Sequence, residues 1–205
     1  MKNLSLFLIC TLISLNAAAY DGSLLTKKWQ HTPYELYLTA EEAYNLKTAN
    51  PDEILLLDVR NQAELHYTGI PDSVDANIPY RFDSSIWKMK KKGPYGTFKL
   101  LKNPHFIEAI ENVLKAKGMT KETPIIIMCA TGSRAPFAVK LLHKAGFKKV
   151  YSQIEGFEGI KAKKGEHKGR RVVSGWKVSN LPWSYNLPPE RMYFQFDPEI
   201  QDSEK

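Results

Sequence analysis

Two periods of hydrophobic and polar positions run along the chain. Ile54-Leu55-Leu56-Leu57 and Pro124-Ile125-Ile126-Ile127-Met128 are unbroken apolar runs of strand length, the pattern of strands buried on both faces of a parallel sheet. Tyr37-Leu38 reads as a short strand, and Thr39 and Glu42 after it have the spacing of a capping box that opens a helix. Ala76-Asn77-Ile78-Pro79 reads as the end of another strand, and Lys149-Val150-Tyr151 supplies a fifth. Between them lie helical periods. Asn103-Pro104 offers a cap and a first-turn proline to a helix whose Phe106, Ile107, Ile110, Val113 and Leu114 share one face before Gly118. A second helix starts near Ala135, with Phe137, Ala138, Leu141, Leu142 and Ala145 inward and Gly146 closing it. Strands separated by helices imply crossover connections, hence an α/β fold with about five mostly parallel strands and helices on both faces.

The first nineteen residues stand apart from this alternation. Lys2, the apolar run Leu4 to Leu15 and then Ala17-Ala18-Ala19 have the order of a secretory signal peptide cleaved after Ala19. The run is shorter than the ~20 residues that span a bilayer, so no membrane span is expected. A lipid-attachment site at Cys10 is disfavoured because Leu8-Ile9 before it are not small. Cys10 leaves with the signal, so Cys129 becomes the one cysteine of the exported chain and has no internal disulfide partner. A periplasmic or secreted location follows from this reading.

Composition is that of a globular domain, with 43% hydrophobic and 25% charged residues, and the formal charge of +7 makes it moderately basic. Outside the cytoplasm that charge disfavours nucleic acid as a partner and favours a small anion or an acidic protein surface. One domain over residues 30–187, acting as a monomer, accounts for the length, with residues 188–205 as a proline-rich, aromatic tail that lies against it and frays at its acidic end. Two stretches exceed the alternating core: residues 83–103, with Trp87 and Lys88, Lys90, Lys91 and Lys92, and residues 160–174, with Lys161, Lys163, Lys164, Lys168, Arg170 and Arg171. Both read as basic loop insertions. The second either guides anions toward the sheet edge or is a solvated loop.

In open parallel sheets ligands sit at the C-terminal strand ends, where Asp58, Arg60 and Cys129 all fall. Cys129-Ala130-Thr131-Gly132-Ser133-Arg134 joins a strand to a helix, so its amides can curl around the sulfur while the helix start adds positive charge. Such a setting favours a nucleophilic thiolate. A cysteine at a strand end is often mere packing. The order strand, cysteine, four residues, arginine, helix goes further, because it places nucleophile, anion cradle and fixed cation in one turn. Thr131 and Ser133 add hydroxyl donors, and Asp58 is the expected partner of Arg134. Asp58 and Arg60 read equally as a strand-end ion pair or as substrate contacts.

On these motifs the chain resembles the rhodanese-like sulfurtransferases over residues 36 to 187. Leu57-Asp58-Val59-Arg60 is similar to the family's first-strand signature, Asn77-Ile78-Pro79 to the turn that follows, and Cys129 to Arg134 to its six-residue active loop. Glu155-Gly156-Phe157-Glu158-Gly159, Gly175-Trp176 and Leu181-Pro182-Trp183 resemble the closing glycine and tryptophan motifs. The resemblance implies that Cys129 takes a sulfane sulfur from a small anionic donor such as thiosulfate, holds it as a persulfide on the amides of Ala130 to Arg134, and passes it to a thiol or protein acceptor.

Two departures bear on detail. Gly69-Ile70-Pro71 lacks the histidine the family often carries there, so this loop is expected to be built differently, and the active loop has Arg134 as its only cation. Two other classes stay open: a non-catalytic sulfur carrier with the same loop, and a cysteine phosphatase, whose loop is one residue longer and whose phosphoryl group needs a wider ring of donors. No cofactor or metal is expected, since His66, His105, His143 and His167 are scattered and form no zinc pattern. Trp176 and Trp183 are expected to serve packing.

Overall fold

The structure is a computed structural model and describes residues 20–91 and 93–194. The expected signal peptide and the acidic end of the tail lie outside the described residues. Five strands form the central sheet: β1 (Tyr37–Leu38), β2 (Leu55–Asp58), β3 (Ala76–Asn77), β4 (Ile125–Met128) and β5 (Val150–Gln153). Their order is β1-β5-β4-β2-β3 and every pairing is parallel, which places β4 in the middle. Four helices accompany them: α1 (Ala40–Ala49), α2 (Gln62–Thr68), α3 (Phe106–Ala116) and α4 (Ala135–Lys144).

The strand register explains why both apolar runs are unbroken. Leu55 pairs with Ile125 and Leu57 with Ile127, and these four, with Val59, pack on one side of the sheet against Ile110, Leu114, Ala138 and Leu142 of α3 and α4. Leu56 and Ile126, paired with each other, and Met128 point to the other side, against Ala43 and Leu46 of α1, Leu65 of α2 and Trp176. A side-chain period of two sends successive residues to opposite layers, so a central strand with helices on both faces carries no polar position.

Local signals fix the helix starts. Thr39 and Glu42 form the capping box at α1. Asn61 and Glu64 form a second one at α2, a helix absent from the sequence reading. At α3 the helix begins at Phe106, and Asn103 caps the preceding turn by accepting the His105 amide at 2.9 Å. Phe137 departs from its expected inward place: it is exposed and stacks on Trp29, with ring centroids 6.1 Å apart.

The two insertions take different forms. Residues 81–102 rise as a β-ribbon, with Arg81–Phe82 paired to Leu101–Lys102 at the base and Trp87–Met89 paired to Gly96–Phe98 farther out. Residues 160–170 form an exposed loop closed by a Lys161–Arg171 bridge. The tail returns to the body, where Tyr193 is buried and stacks on Phe82 at 6.0 Å. Among the described residues no helix is long and apolar enough to cross a membrane.

Candidate functional site

The C-terminal ends of β2 and β4 lie side by side, with Asp58 opposite Met128, so Cys129 and the Asp58 to Asn61 segment leave the sheet at the same place. Cys129 is wholly buried, and its sulfur accepts the backbone N–H of Arg134 at 3.3 Å. The chain between them turns through Gly132, at φ +71°, before Arg134 opens α4. Thr131 and Ser133 share a hydroxyl hydrogen bond of 3.1 Å across the turn.

This loop is seated on the segment that follows β5. The Phe157 amide donates to the Cys129 carbonyl at 2.7 Å, and the Glu158 and Gly159 amides both donate to the Ala130 carbonyl. Glycine is required twice at this seam. A Cβ on Gly132 would lie 1.7 Å from the Ile154 carbonyl oxygen, and one on Gly156, itself at φ +77°, 2.2 Å from the Thr131 nitrogen. The Glu155 to Gly159 motif is therefore the floor under the loop, and its Glu155 carboxylate accepts the Ala40 amide at the start of α1.

Arg134 is braced, but by a different residue from the one expected. Asp58 does not hydrogen-bond it. The guanidinium forms a two-pronged pair with Glu64 of α2, Nη1 donating to Oε2 at 2.6 Å and Nη2 to Oε1. Three residues, Val59 to Asn61, separate Asp58 from the helix that faces Arg134, whereas Glu64 lies on that helix, in its first-turn capping box. Burial pushes the Glu64 carboxyl up, but the hydrogen bonds and charge of Arg134, the Asn61 amide and the Arg60 charge outweigh it, and the group stays below its ordinary value. For Arg134 burial acts to weaken the charged form, and the hydrogen bonds and charge of Glu64 reverse this and raise its pKa.

Asp58 is instead locked to Arg60. Both side chains are fully buried, and Arg60 Nη2 lies 2.6 Å from Asp58 Oδ2. The remaining Arg60 donors reach Thr68 Oγ1 at 2.7 Å and the Gly69 carbonyl at 2.8 Å, while its guanidinium lies 4.0 Å from the Phe157 ring centre. With every nitrogen engaged inside the protein, Arg60 is a clamp joining β2, the end of α2 and the floor segment. The segment without the familial histidine is closed by Gly69 at φ +84°, after which Ile70–Pro71 pairs antiparallel with Trp183–Ser184. Trp176 is buried and donates to the Pro182 carbonyl, and Trp183 packs edge-on against Phe157.

The geometry thus brings Cys129, Ala130, Thr131, Gly132, Ser133 and Arg134 into one turn and sets Asp58 and Arg60 beneath it. Sequence reasoning missed Glu64, although the Asn61 to Glu64 capping-box spacing was there to be read. It also missed Asp83 at the ribbon base. Burial, and then repulsion from Glu64, raise the Asp83 pKa against the pull of Arg134. His143 lies exposed in the last turn of α4, in edge contact with Tyr34. Of the basic loop, Arg171 turns inward, donating to the Gly159 carbonyl at 2.8 Å. Among the described residues no cluster of His, Cys, Asp and Glu has the form of a metal site.

Comparison with known proteins adds four findings. A family profile described as a rhodanese-like domain matches residues 39–163. The chain is 26% identical over 148 residues to the uncharacterized protein RP600 of Rickettsia prowazekii, covering 72% of this chain and 96% of that protein. It is 44% identical over 41 residues to the thiosulfate sulfurtransferase GlpE of Tolumonas auensis, covering 20% of this chain and 39% of that protein. In fold it is similar to the crystal structure of Rv0390 from M. tuberculosis, with a TM-score of 0.51 and 23% identity over 73% of this chain and 97% of that one.

Proposed function

Because the chain belongs to the rhodanese-like family, we infer that it is a sulfurtransferase that carries sulfane sulfur on Cys129. The observation that carries this reading is the seat of the thiol: a sulfur at the end of the central strand, accepting the Arg134 amide at the foot of a short loop that opens α4. In the first half-reaction the Cys129 thiolate attacks the outer sulfur of a donor such as thiosulfate. A new S–S bond forms at Sγ, the donor's own S–S bond breaks, and sulfite leaves with the electron pair. In the second, a thiol or cyanide attacks the outer sulfur of the persulfide and returns Cys129 to thiolate. Loop amides stabilise the terminal persulfide charge, and Arg134 contributes by holding the loop in shape through Glu64.

A phosphatase role fits less well. Four residues separate Cys129 from Arg134, and the arginine nitrogens that would grip phosphoryl oxygens are paired with Glu64. A carrier role without turnover uses the same buried thiol and loop, so turnover alone separates it from an enzyme. Thiosulfate separates the readings. Intact mass after incubation should rise by one sulfur atom that a reductant removes, and should not rise in Cys129→Ser; cyanide should then yield thiocyanate catalytically. Loading without turnover would leave the carrier, and no loading from thiosulfate or polysulfide would sink both.

Export belongs to the same proposal. It rests on the order of charged, apolar and small residues in positions 1–19. Cleavage after Ala19 would make Tyr20 the amino terminus, and its nitrogen already donates to the Tyr37 carbonyl on β1. N-terminal sequencing of protein recovered from its native cells should begin at Tyr20.

A further inference from the structure

The β-ribbon at residues 81–102 is not needed to build the sulfur site, yet it gathers exposed aromatic and basic residues. From Ser84 to Lys102 it carries six lysines and no acidic residue. Lys88, Lys99 and Lys102 have no carboxylate partner among the described residues. Trp87, Met89 and Phe98 stand together on one face, each more than half exposed, with the Trp87 indole over Gly96 and edge-on to Phe98 at 5.3 Å. Exposed aromatics and methionine on a ribbon that also carries unpaired cations have the make-up of a binding surface, apolar in part and charged in part.

Its place in the fold gives the patch a purpose. The ribbon leaves the sheet directly after β3, whose Asn77 pairs with Asp58 at the same C-terminal edge from which Cys129 emerges. Asp83 at its base lies within the electrostatic reach of both Glu64 and Arg134. Between base and outer arm runs an open groove of about 800 Å³, with Phe98 and Leu101 among Arg81, Lys88, Lys99 and Lys102, four cations against the single carboxylate of Asp83 in the lining. A concave, cationic and partly apolar groove suits a protruding acidic segment with an apolar side chain better than it suits the flat face of a bilayer.

We propose that this ribbon is the docking arm for a protein partner of the sulfur relay, taking an acidic segment with an apolar anchor that delivers its cysteine to the Cys129 loop. The delivery half of the proposal rests on the sulfurtransferase reading above; the docking half does not.

Two measurements separate them. The probe is a fluorescein-labelled peptide of glutamate and phenylalanine with one cysteine, set beside the same peptide with lysine for glutamate. Full-length Cys129→Ser protein should bind the acidic peptide in anisotropy titrations and discriminate against the lysine peptide by tenfold or more, about the lower end of electrostatic steering effects. A Lys88→Glu, Lys99→Glu, Lys102→Glu variant should lose that preference, and Trp87→Ala should weaken binding without altering its charge dependence. Thermal melting like that of wild type will show that these exposed substitutions leave the fold intact. In the second measurement, wild type loaded with sulfane sulfur should discharge about tenfold faster to the acidic thiol than to the basic one. The triple variant should lose that difference and keep its rate with cyanide.

Equal binding of the two peptides, or binding untouched by the triple variant, overturns the docking arm. So does co-sedimentation with phosphatidylglycerol vesicles in the absence of acidic-peptide binding, which reassigns the ribbon to a membrane surface. Peptide binding in a protein that never accepts sulfur supports the arm and removes the relay.

Discussion

At Cys129 the sulfur sits inside the larger buried cluster and yet receives an amide hydrogen bond, so one residue is both part of the core and the head of the loop. Its shape depends on Arg134, and Arg134 depends on Glu64. The Glu64→Gln variant keeps the size of the side chain and removes its charge. Charged hydrogen bonds contribute about 1.5–3 kcal/mol, and a loss of that order is expected in urea melts at neutral pH. The pH dependence identifies the group. A carboxyl held below its ordinary value of 4.5 in the folded state adds stability that is present above that value and fades as pH falls through the lower folded one. The gap between wild type and Glu64→Gln should therefore close in acid and be constant from neutrality down to the ordinary carboxylate value. A gap independent of pH would mean that Glu64 acts by packing. Sulfur loading should slow on the order of 10²-fold, the effect of a small misplacement of reacting groups.

Among the elements, the seam between the active loop and the floor segment after β5 decides whether the site exists. Gly156 and Gly146 both have positive φ, +77° and +86°, but a Cβ on Gly146 meets nothing within 4 Å. Alanine at Gly146 should cost only the backbone strain, about 1 kcal/mol. Alanine at Gly156 adds a collision with the backbone of Ala130 and Thr131 that no side-chain rotation relieves, and it should abolish sulfur loading even where the protein still folds. Intact-mass loading and melting of the two variants check this; equal behaviour would mean that the seam yields freely. The strands and loop that bear on this seam were legible because their signals are local: unbroken apolar runs, a cysteine and an arginine framing a glycine, capping residues at fixed spacing. Helix α2 escaped notice although its Asn61 to Glu64 spacing is just as local; the rest of what escaped notice is set by contacts between distant segments. Nothing near Arg134 in sequence marks Glu64 as its partner, since the two are seventy residues apart. Phe137 fits the inward helical period, and only the arrival of Trp29 from the N-terminal side explains its place on the outside.

For the molecule as a whole, the two buried clusters on either side of the sheet carry the fold, and the ribbon belongs to neither beyond its base. Phe82 packs against the α3/α4 side and on Tyr193, whereas Ile86, Trp87, Met89, Tyr95 and Phe98 are exposed. Stability should then be nearly indifferent to the outer arm. Ser84 hydrogen-bonds the Lys99 carbonyl, so the two chains already meet there, and an Asn-Gly turn in place of residues 85–98 can close the ribbon without disturbing its base. Loop-closure entropy changes by about 0.6 kcal/mol per doubling of length, and going from fourteen residues to two is nearly three halvings, so shortening the excursion should cost no stability and gain at most about 2 kcal/mol. Urea melts test this, and a loss of several kcal/mol would show that the arm is part of the folding unit. The shortened protein should load sulfur from thiosulfate and release it to cyanide as the full chain does, because Cys129, Arg134 and Glu64 are held by β4, α4 and α2. Its preference for acidic thiols should vanish. A molecule that keeps its chemistry and loses only its choice of acceptor would separate, in one deletion, the sheet edge that handles sulfur from the surface that selects the partner.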